Sequence, residues 1–269
     1  MKIVSEVRDF ARPRAFVPTM GALHAGHQSL IQLARQYCDE VIVSVFVNPL
    51  QFENKDDLVK YPKTPEVDAE LARQAGATYL WRPEVSAIYP GTEVQLGAGE
   101  LGDRFEGASR PGHFDGVLTV VNRLFELVRP KFAIFGEKDL QQLFLIKQMA
   151  AKMHPEIEII AAPTVRTESG LALSSRNVRL SESGRSAAVA ISRALQSAAE
   201  MSTPAEMRRA LTQVTNEPAF ELDYAEIIDR DTFALADSST QNPHAIIAGW
   251  IEGVRLIDNM AMQKALVRV

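Results

Sequence analysis

Up to residue 163 the chain alternates short apolar runs of β-branched residues with longer stretches whose apolar positions recur at helical spacing. That alternation is the signature of βαβ units, and it calls for a mostly parallel sheet covered by its own helices. Ala15–Pro18 is a short apolar run that ends in a turn, and it leads to a helical pattern over His27–Tyr37 with Leu30, Ile31, Ala34 and Tyr37 on one face. Glu40–Val47 (EVIVSVFV) is β-branched and continuously apolar near its end, as expected of a central strand covered on both sides. Pro65–Gly76 reads as a helix opened by proline and closed by glycine, followed by a strand at Thr78–Trp81. Phe114–Val128 predicts a long amphipathic helix stopped by Pro130. Lys131–Phe135 then predicts a strand, Lys138–Met153 a helix and Glu156–Ala161 a strand.

After Pro163 the pattern changes. A polar stretch, RTESGLALSSRN, precedes the alanine-rich helical run SESGRSAAVAISRALQSAAEM, and β-like runs follow at Leu222–Ile228, His244–Ile251 and Gly253–Ile257. The expected fold class is therefore α/β, a Rossmann-like parallel sheet with a smaller C-terminal α+β domain, with boundaries at 1–164 and 165–269.

Charge excludes some functions. Lys+Arg 29 against Asp+Glu 34 gives a formal net charge of -5, so no overall basic field draws the protein to RNA, DNA or anionic lipid. A single cysteine, Cys38, excludes an internal disulfide framework and multi-cysteine zinc sites, and it suits a reducing compartment, where it is expected to be a small buried residue. The charged opening MKIVSEVRDFARPRAF does not read as a signal peptide, and no run reaches the roughly 20 apolar residues of a membrane span, so the sequence predicts a cytoplasmic protein with no membrane partner.

The candidate chemistry sits at strand-to-helix corners. In an open α/β sheet, ligands bind outside the carboxyl ends of the strands, where a helix N-terminus offers amides and the positive end of its dipole. PTMGALHAGH (Pro18–His27) is such a corner: Gly21 and Gly26 admit a close ligand, and His24 and His27 can donate to phosphate oxygens and neutralise developing charge. Either histidine alone would be read as a capping or surface residue, but the pair in this context favours an anion site. VNPLQF (Val47–Phe52) puts Asn48 and Gln51 after the apolar strand, where they serve a small polar substrate or simply a proline turn. RPGHF brings Arg110 and His113 to the start of the long helix, as an anion contact or a cap. FGEKDLQQ (Phe135–Gln142) offers Lys138 as a compact positive charge, Asp139 for a ribose hydroxyl or a metal water, and Gln142 one turn on from Lys138 and facing the same way. A solvated charge run is the competing account, stronger for Glu137 than for Lys138. LSSRN (Leu173–Asn177) is a Ser-rich linker or a loop that closes over a triphosphate. GAGELG (Gly97–Gly102) fits a dinucleotide fingerprint, but the Gly- and Pro-bearing DRFEGASRPGHF after it is expected not to begin a helix, and no P-loop motif exists.

HAGH after a short strand, paired with a later Ser/Arg loop, resembles the HxGH and KMSKS-like pair of the nucleotidyltransferase superfamily. PTMGALHAGH, VNPLQF, EGASRPGHFDGVLTVVNRLFELV, FGEKDLQQ, LALSSRN and the closing WIEGVRLIDN resemble the pantoate–β-alanine ligase (pantothenate synthetase) family, in order and over nearly the whole chain. The resemblance implies two steps: pantoate's carboxylate attacks the α-phosphorus of ATP to give pantoyl adenylate and pyrophosphate, and the amine of β-alanine then displaces AMP. Carried onto this sequence, it implies that Met20, Gly21, Ala22, Leu23, His24, Ala25, Gly26 and His27 line the ATP phosphates, with His27 and His24 catalytic. Gly136, Glu137, Lys138 and Asp139 would contact ATP, Lys138 as a catalytic cation and Asp139 at the ribose. Val165 would touch adenine through its backbone, and Leu173, Ser174, Ser175 and Arg176 would form the closing loop. Gln51 and Gln142 would bind pantoate and β-alanine, with Asn48, Arg110 and His113 as further substrate contacts. Mg²⁺ is implied with ATP, with Asp68 as its candidate ligand, and so is a homodimer. The sequence departs from the family at Lys63, where an arginine is expected; both are cations, so only bidentate contacts are affected.

Three other readings are open to test. A nucleotidylyltransferase of the same superfamily would need a basic acceptor site where Gln51 and Gln142 stand. A non-catalytic adenine-nucleotide-binding module of the same fold would bind nucleotide without turnover. An RNA-acting synthetase is disfavoured by the -5 charge.

Overall fold

The computed structural model describes residues 1–6, 13–52, 58–59 and 61–262, and the chain divides into two compact units, Met1–Thr164 and Val165–Val269.

The first unit is built on six parallel strands: β1 (Lys2–Val4), β2 (Arg14–Thr19), β3 (Glu40–Val45), β4 (Tyr79–Trp81), β5 (Phe132–Gly136) and β6 (Glu158–Ala162), in the order β1-β4-β3-β2-β5-β6. Its helices are α1 (Ala25–Tyr37), α2 (Pro65–Gln74), α3 (Val85–Ile88), α4 (Glu106–Ser109), α5 (His113–Val128) and α6 (Leu140–Met153). Alternate residues of the central strands serve opposite faces, as the pleat requires. Ala15, Val17, Val41 and Val43 join Ile31, Ala34 and Ala72 of α1 and α2 in one core cluster. Phe16 and Ile42 join Val121, Phe125 and Ile146 of α5 and α6 in another. The sheet is thus sandwiched between helices, and its apolar strands are buried on both faces. From β2 the chain winds one way to β3 and the other way to β5, so the carboxyl ends of β2 and β5 flank a topological switch point.

The second unit holds an antiparallel sheet of β7 (Glu221–Asp229), β8 (Pro243–Ile251) and β9 (Val254–Ala261), with α7 (Glu182–Ala199) and α8 (Pro204–Leu211). Leu195, Met207, Leu211, Ile227 and Ile247 lie in its core. The two-residue hairpin between β8 and β9 takes positive φ at both positions, Glu252 (52°) and Gly253 (70°). The Glu252 carboxylate accepts from the Ser181 amide (2.8 Å) and hydroxyl (2.5 Å) at the start of α7.

Several elements differ from the sequence reading. The edge strand β1 and the helix α8 were not expected. The helix expected from Lys138 begins at Leu140, because Glu137–Asp139 form a 3₁₀ turn, so Gln142 does not stand one α-helical turn beyond Lys138. The Gly- and Pro-bearing segment after Gly102 does begin a helix, the single turn α4, with Phe105 at φ 51° before it. The chain approaches itself closely there: a Cβ on Gly107 would collide with the Gly102 carbonyl. No strand leads directly into Gly97, since residues 82–96 carry none, so the strand that a dinucleotide fingerprint needs is missing there. Cys38 is buried, as expected.

Candidate active site

The corner after β2 is shaped by residues distant in sequence. The Thr19 hydroxyl donates to the Ser44 carbonyl (2.6 Å) and accepts from the Gly21 amide (3.2 Å). Gly21 then turns the chain at φ +87°, and Ala22 follows at φ 49°. Only glycine fits position 21, since a Cβ would stand 2.9 Å from Asp68 Oδ2 and 3.0 Å from a methyl of Val45. Asp68, on α2 and 1% exposed, accepts from the amides of Ala22 (3.2 Å) and Leu23 (2.8 Å) and from the Thr64 hydroxyl (2.9 Å). A buried carboxylate therefore holds the 21–23 turn in place.

The turn delivers His24 to the N-cap of α1 and His27 to its first turn, and the two imidazoles perform a reciprocal capping box. His24 Nδ1 accepts from the Gly26 amide (3.1 Å), and His27 Nδ1 accepts from the His24 amide (3.3 Å); the ring centroids lie 4.2 Å apart. A backbone N–H can only donate, so each Nδ1 is unprotonated and each proton sits on Nε2. Burial, and after it the positive charge of Lys138, lowers the His24 pKa to about 4 against the opposing effect of Asp139. Burial lowers the His27 pKa to about 3, with His24 adding and Asp139 opposing. With Nδ1 occupied by a backbone amide, each imidazole offers its Nε2–H as a hydrogen-bond donor. β5 pairs with β2, so the Lys138–Asp139 corner after β5 stands beside the corner that carries this pair, across the switch point. Lys138 is half-buried there and Asp139 exposed. Gly136 ends β5, and Gln142 lies in the first turn of α6, half-buried.

The corner after β3 carries a 3₁₀ turn, Pro49–Gln51, capped by Asn48. Asn48 is 1% and Gln51 8% exposed. Asn48 Nδ2 donates to Gln51 Oε1 (3.1 Å) and to the Gly116 carbonyl of α5 (3.0 Å). Gly116 is required there, because a Cβ would stand 2.3 Å from the Leu50 carbonyl. His113 Nδ1 lies 2.9 Å from the Gln51 carbonyl oxygen and its Nε2 3.0 Å from Arg110 Nη1, while Arg110 pairs with the buried Glu106 at 3.6 Å. Arg110 and His113 thus fasten the Gln51 main chain.

In the second unit, Leu173 donates its amide to the Val165 carbonyl (2.9 Å), and Arg166 and Ala172 form an antiparallel bridge. A hairpin therefore brings Val165 and Leu173 together. Ser174 caps the 3₁₀ turn Ser175–Arg179 by accepting from the Arg176 amide (3.2 Å). Arg166 anchors the hairpin through a bidentate pair with Asp258 (2.5 and 2.9 Å).

The sequence profile of the Pantoate-beta-alanine ligase family matches residues 1–261. The chain belongs to this family. A pantothenate synthetase of Acidothermus cellulolyticus is 46% identical over 262 residues, covering 94% of this chain and 86% of that protein. The crystal structure of pantoate-beta-alanine ligase (pantothenate synthetase) from Thermus thermophilus superposes with a TM-score of 0.92 at 42% identity, over 97% of this chain and 99% of that one. The Francisella tularensis ligase, solved with beta-gamma ATP and beta-alanine, gives a TM-score of 0.80 at 34% identity, over 97% and 98% of the two chains. The parallel sheet and small antiparallel sheet are thus the fold of this family.

Within the first unit the structure gathers His24, His27, Lys138 and Asp139 at the switch point and Asn48, Gln51, Arg110 and His113 at the β3 corner. Two contributors escaped sequence reading. Tyr89, whose hydroxyl donates to Asn48 Oδ1 (2.6 Å), lies 41 residues away, and Thr64 supports Asp68. Tyr89 belongs to no motif that marks it, and Thr64 closes the stretch YPKT, which marks only Lys63.

Proposed function

We infer that this protein ligates pantoate to β-alanine in an ATP-dependent reaction that passes through pantoyl adenylate and releases AMP and pyrophosphate. Family membership over residues 1–261 supports the ligation, and the ATP and β-alanine bound by the Francisella relative support the substrates. The adenylate step rests on the site: two neutral Nε2–H donors at the N-terminus of α1, with Lys138 beside them, at the switch point of the sheet.

In this reading the pantoate carboxylate forms a bond to the α-phosphorus as the bond to the bridging oxygen of pyrophosphate breaks. His24 and His27 donate from Nε2 to phosphoryl oxygens as charge shifts, and Lys138 stabilises the departing pyrophosphate. The β-alanine amine then attacks the acyl carbon, AMP departs with the bonding pair, and the amine loses a proton to solvent. No protein nucleophile is needed, since alignment and charge stabilisation carry both steps. Met20–Leu23 and Ala25–Gly26 shape the phosphate-facing turn, Gly136, Glu137 and Asp139 contact the nucleotide, and Gln51 and Gln142 hold pantoate. Val165 and Leu173–Arg176, gathered by their hairpin, serve as nucleotide contacts. A cytoplasmic homodimer belongs to the same reading, the homodimer resting on the family resemblance and the compartment on the single cysteine.

Mg²⁺ is expected to arrive with the triphosphate. The residues do not build a cage for it: Asp68 is buried, its carboxylate accepts from Ala22, Leu23 and Thr64, and among the described residues no group of three or more His, Cys, Asp or Glu could hold a metal ion. No step here depends on a metal held by the protein.

Purified protein should catalyse pantoate-dependent exchange between ATP and pyrophosphate, and should form AMP only when β-alanine is also present. Absence of pantoate-dependent exchange overturns the reading, and nucleotide binding without turnover would favour a non-catalytic binding module. His27→Ala and Lys138→Ala are each expected to slow exchange about 100- to 1,000-fold, the usual cost of one transition-state donor.

A further inference from the structure

Tyr89, Asn48 and Gln51 form a relay whose polarity is set by backbone groups. The Leu50 amide donates to Asn48 Oδ1 (3.2 Å), and Asn48 Nδ2 donates to the Gly116 carbonyl (3.0 Å). An amide N–H only donates and a carbonyl only accepts, so Asn48 has a single permitted orientation. The Tyr89 hydroxyl, 2.6 Å from the same Oδ1, must therefore donate, and burial raises the Tyr89 pKa so that the proton stays in place. The second Nδ2 hydrogen goes to Gln51 Oε1 (3.1 Å). Turning the Gln51 amide over would set its Nε2 against Asn48 Nδ2, donor against donor. The Gln51 main chain is fastened as well, its carbonyl facing His113 Nδ1 at 2.9 Å.

A glutamine free in solution offers a ligand either its oxygen or its nitrogen, but this one has its oxygen committed. We propose that the Tyr89–Asn48 relay locks Gln51 as a hydrogen-bond donor, through Nε2, to a carboxylate or hydroxyl oxygen of the acid substrate, with Tyr89 a positioning residue acting through Asn48. The proposal rests on the reading of Gln51 as a pantoate contact. It also gives the site a polarity: an oxygen acceptor is welcomed next to Gln51, and an ammonium such as that of β-alanine is not.

The test is Tyr89→Phe, which keeps the ring that packs edge-on to Phe46. In pantoate-dependent ATP–pyrophosphate exchange, the KM for pantoate should rise about 3- to 10-fold, in keeping with the loss of one neutral hydrogen bond. The KM for ATP, the thermal midpoint and kcat should stay near wild type. In a Gln51→Ala background the same substitution should add nothing, because its effect passes through Gln51. Asn48→Asp, which keeps the acceptor for Tyr89 and Leu50 but loses both Nδ2 donations, to Gln51 Oε1 and to the Gly116 carbonyl, should show the same pantoate-specific rise together with a lower thermal midpoint, and decides the matter if Tyr89→Phe does not fold. An unchanged pantoate KM, an equal rise in both KM values, or full additivity with Gln51→Ala overturns the relay. Wild-type protein without pantoate-dependent exchange would instead overturn the underlying reading.

Discussion

Protonating His24 or His27 would put a positive charge into a buried capping box whose nitrogens are accepting from backbone amides, so acid should attack the site at its residues first. Unfolded, both imidazoles titrate near 6.5; folded, their pKa values lie near 4 and 3. The folded state therefore binds fewer protons than the unfolded chain below pH 6.5. The stability these residues contribute is whole above that pH and is lost as pH falls toward 4 and 3. Denaturant unfolding of the unliganded protein should show a decline over this window that is shallower in His27→Asn, a side chain that can cap without titrating. A bound triphosphate, by placing negative charge beside the imidazoles, should raise their folded pKa toward 6.5, so that the decline becomes smaller and ends at a higher pH. An identical slope in wild type and His27→Asn would show that these histidines are not the titrating groups.

At the scale of elements, the decisive contact is between α2 and the turn after β2, made by Asp68. Replacing it with asparagine leaves one acceptor for two amides and turns an NH₂ toward a donor, so Asp68→Asn should cost about 2–3 kcal/mol in denaturant unfolding, with no metal present, and should raise the KM for ATP. A stability loss seen only with Mg²⁺ would point to a metal ligand instead of a clamp. Sequence reading singled out the His24–His27 corner because a glycine-bearing turn between an apolar strand and an amphipathic helix is a local pattern, as are EVIVSVFV and the helical spacing of α5. It did not find the clamp, because Asp68 lies 46 residues from Ala22 and its helix pattern gives no reason for an inward carboxylate. The same holds for β1, three residues whose strand character comes from pairing with β4 across 77 positions, Lys2 to Tyr79. The 3₁₀ turn at Glu137–Asp139 escaped for a different reason: a helix pattern does not tell where its first turn tightens.

For the whole molecule, the arrangement of apolar surface matters more than net charge. A charge of -5 argues against a nucleic-acid surface, yet the proposed anion site is local, built from imidazoles, a helix terminus and Lys138. Each hydrophobic cluster among the described residues draws on one unit only: two clusters line the parallel sheet, and one lies between the small sheet, α7 and α8. Stability should therefore be distributed as two free energies instead of one. Leu195 on α7 is fully buried, and Leu195→Ala is expected to remove about 2–5 kcal/mol from the second unit. Native-state hydrogen exchange should then show faster exchange across α7 and β7–β9, with protection in β2, β3 and β5 kept. The reciprocal variant, Ile134→Val in β5, should cost about 0.5–1.5 kcal/mol and reverse the pattern. If Leu195→Ala lowers protection equally in both sheets, the chain unfolds as one cooperative body and the two cores do not act separately.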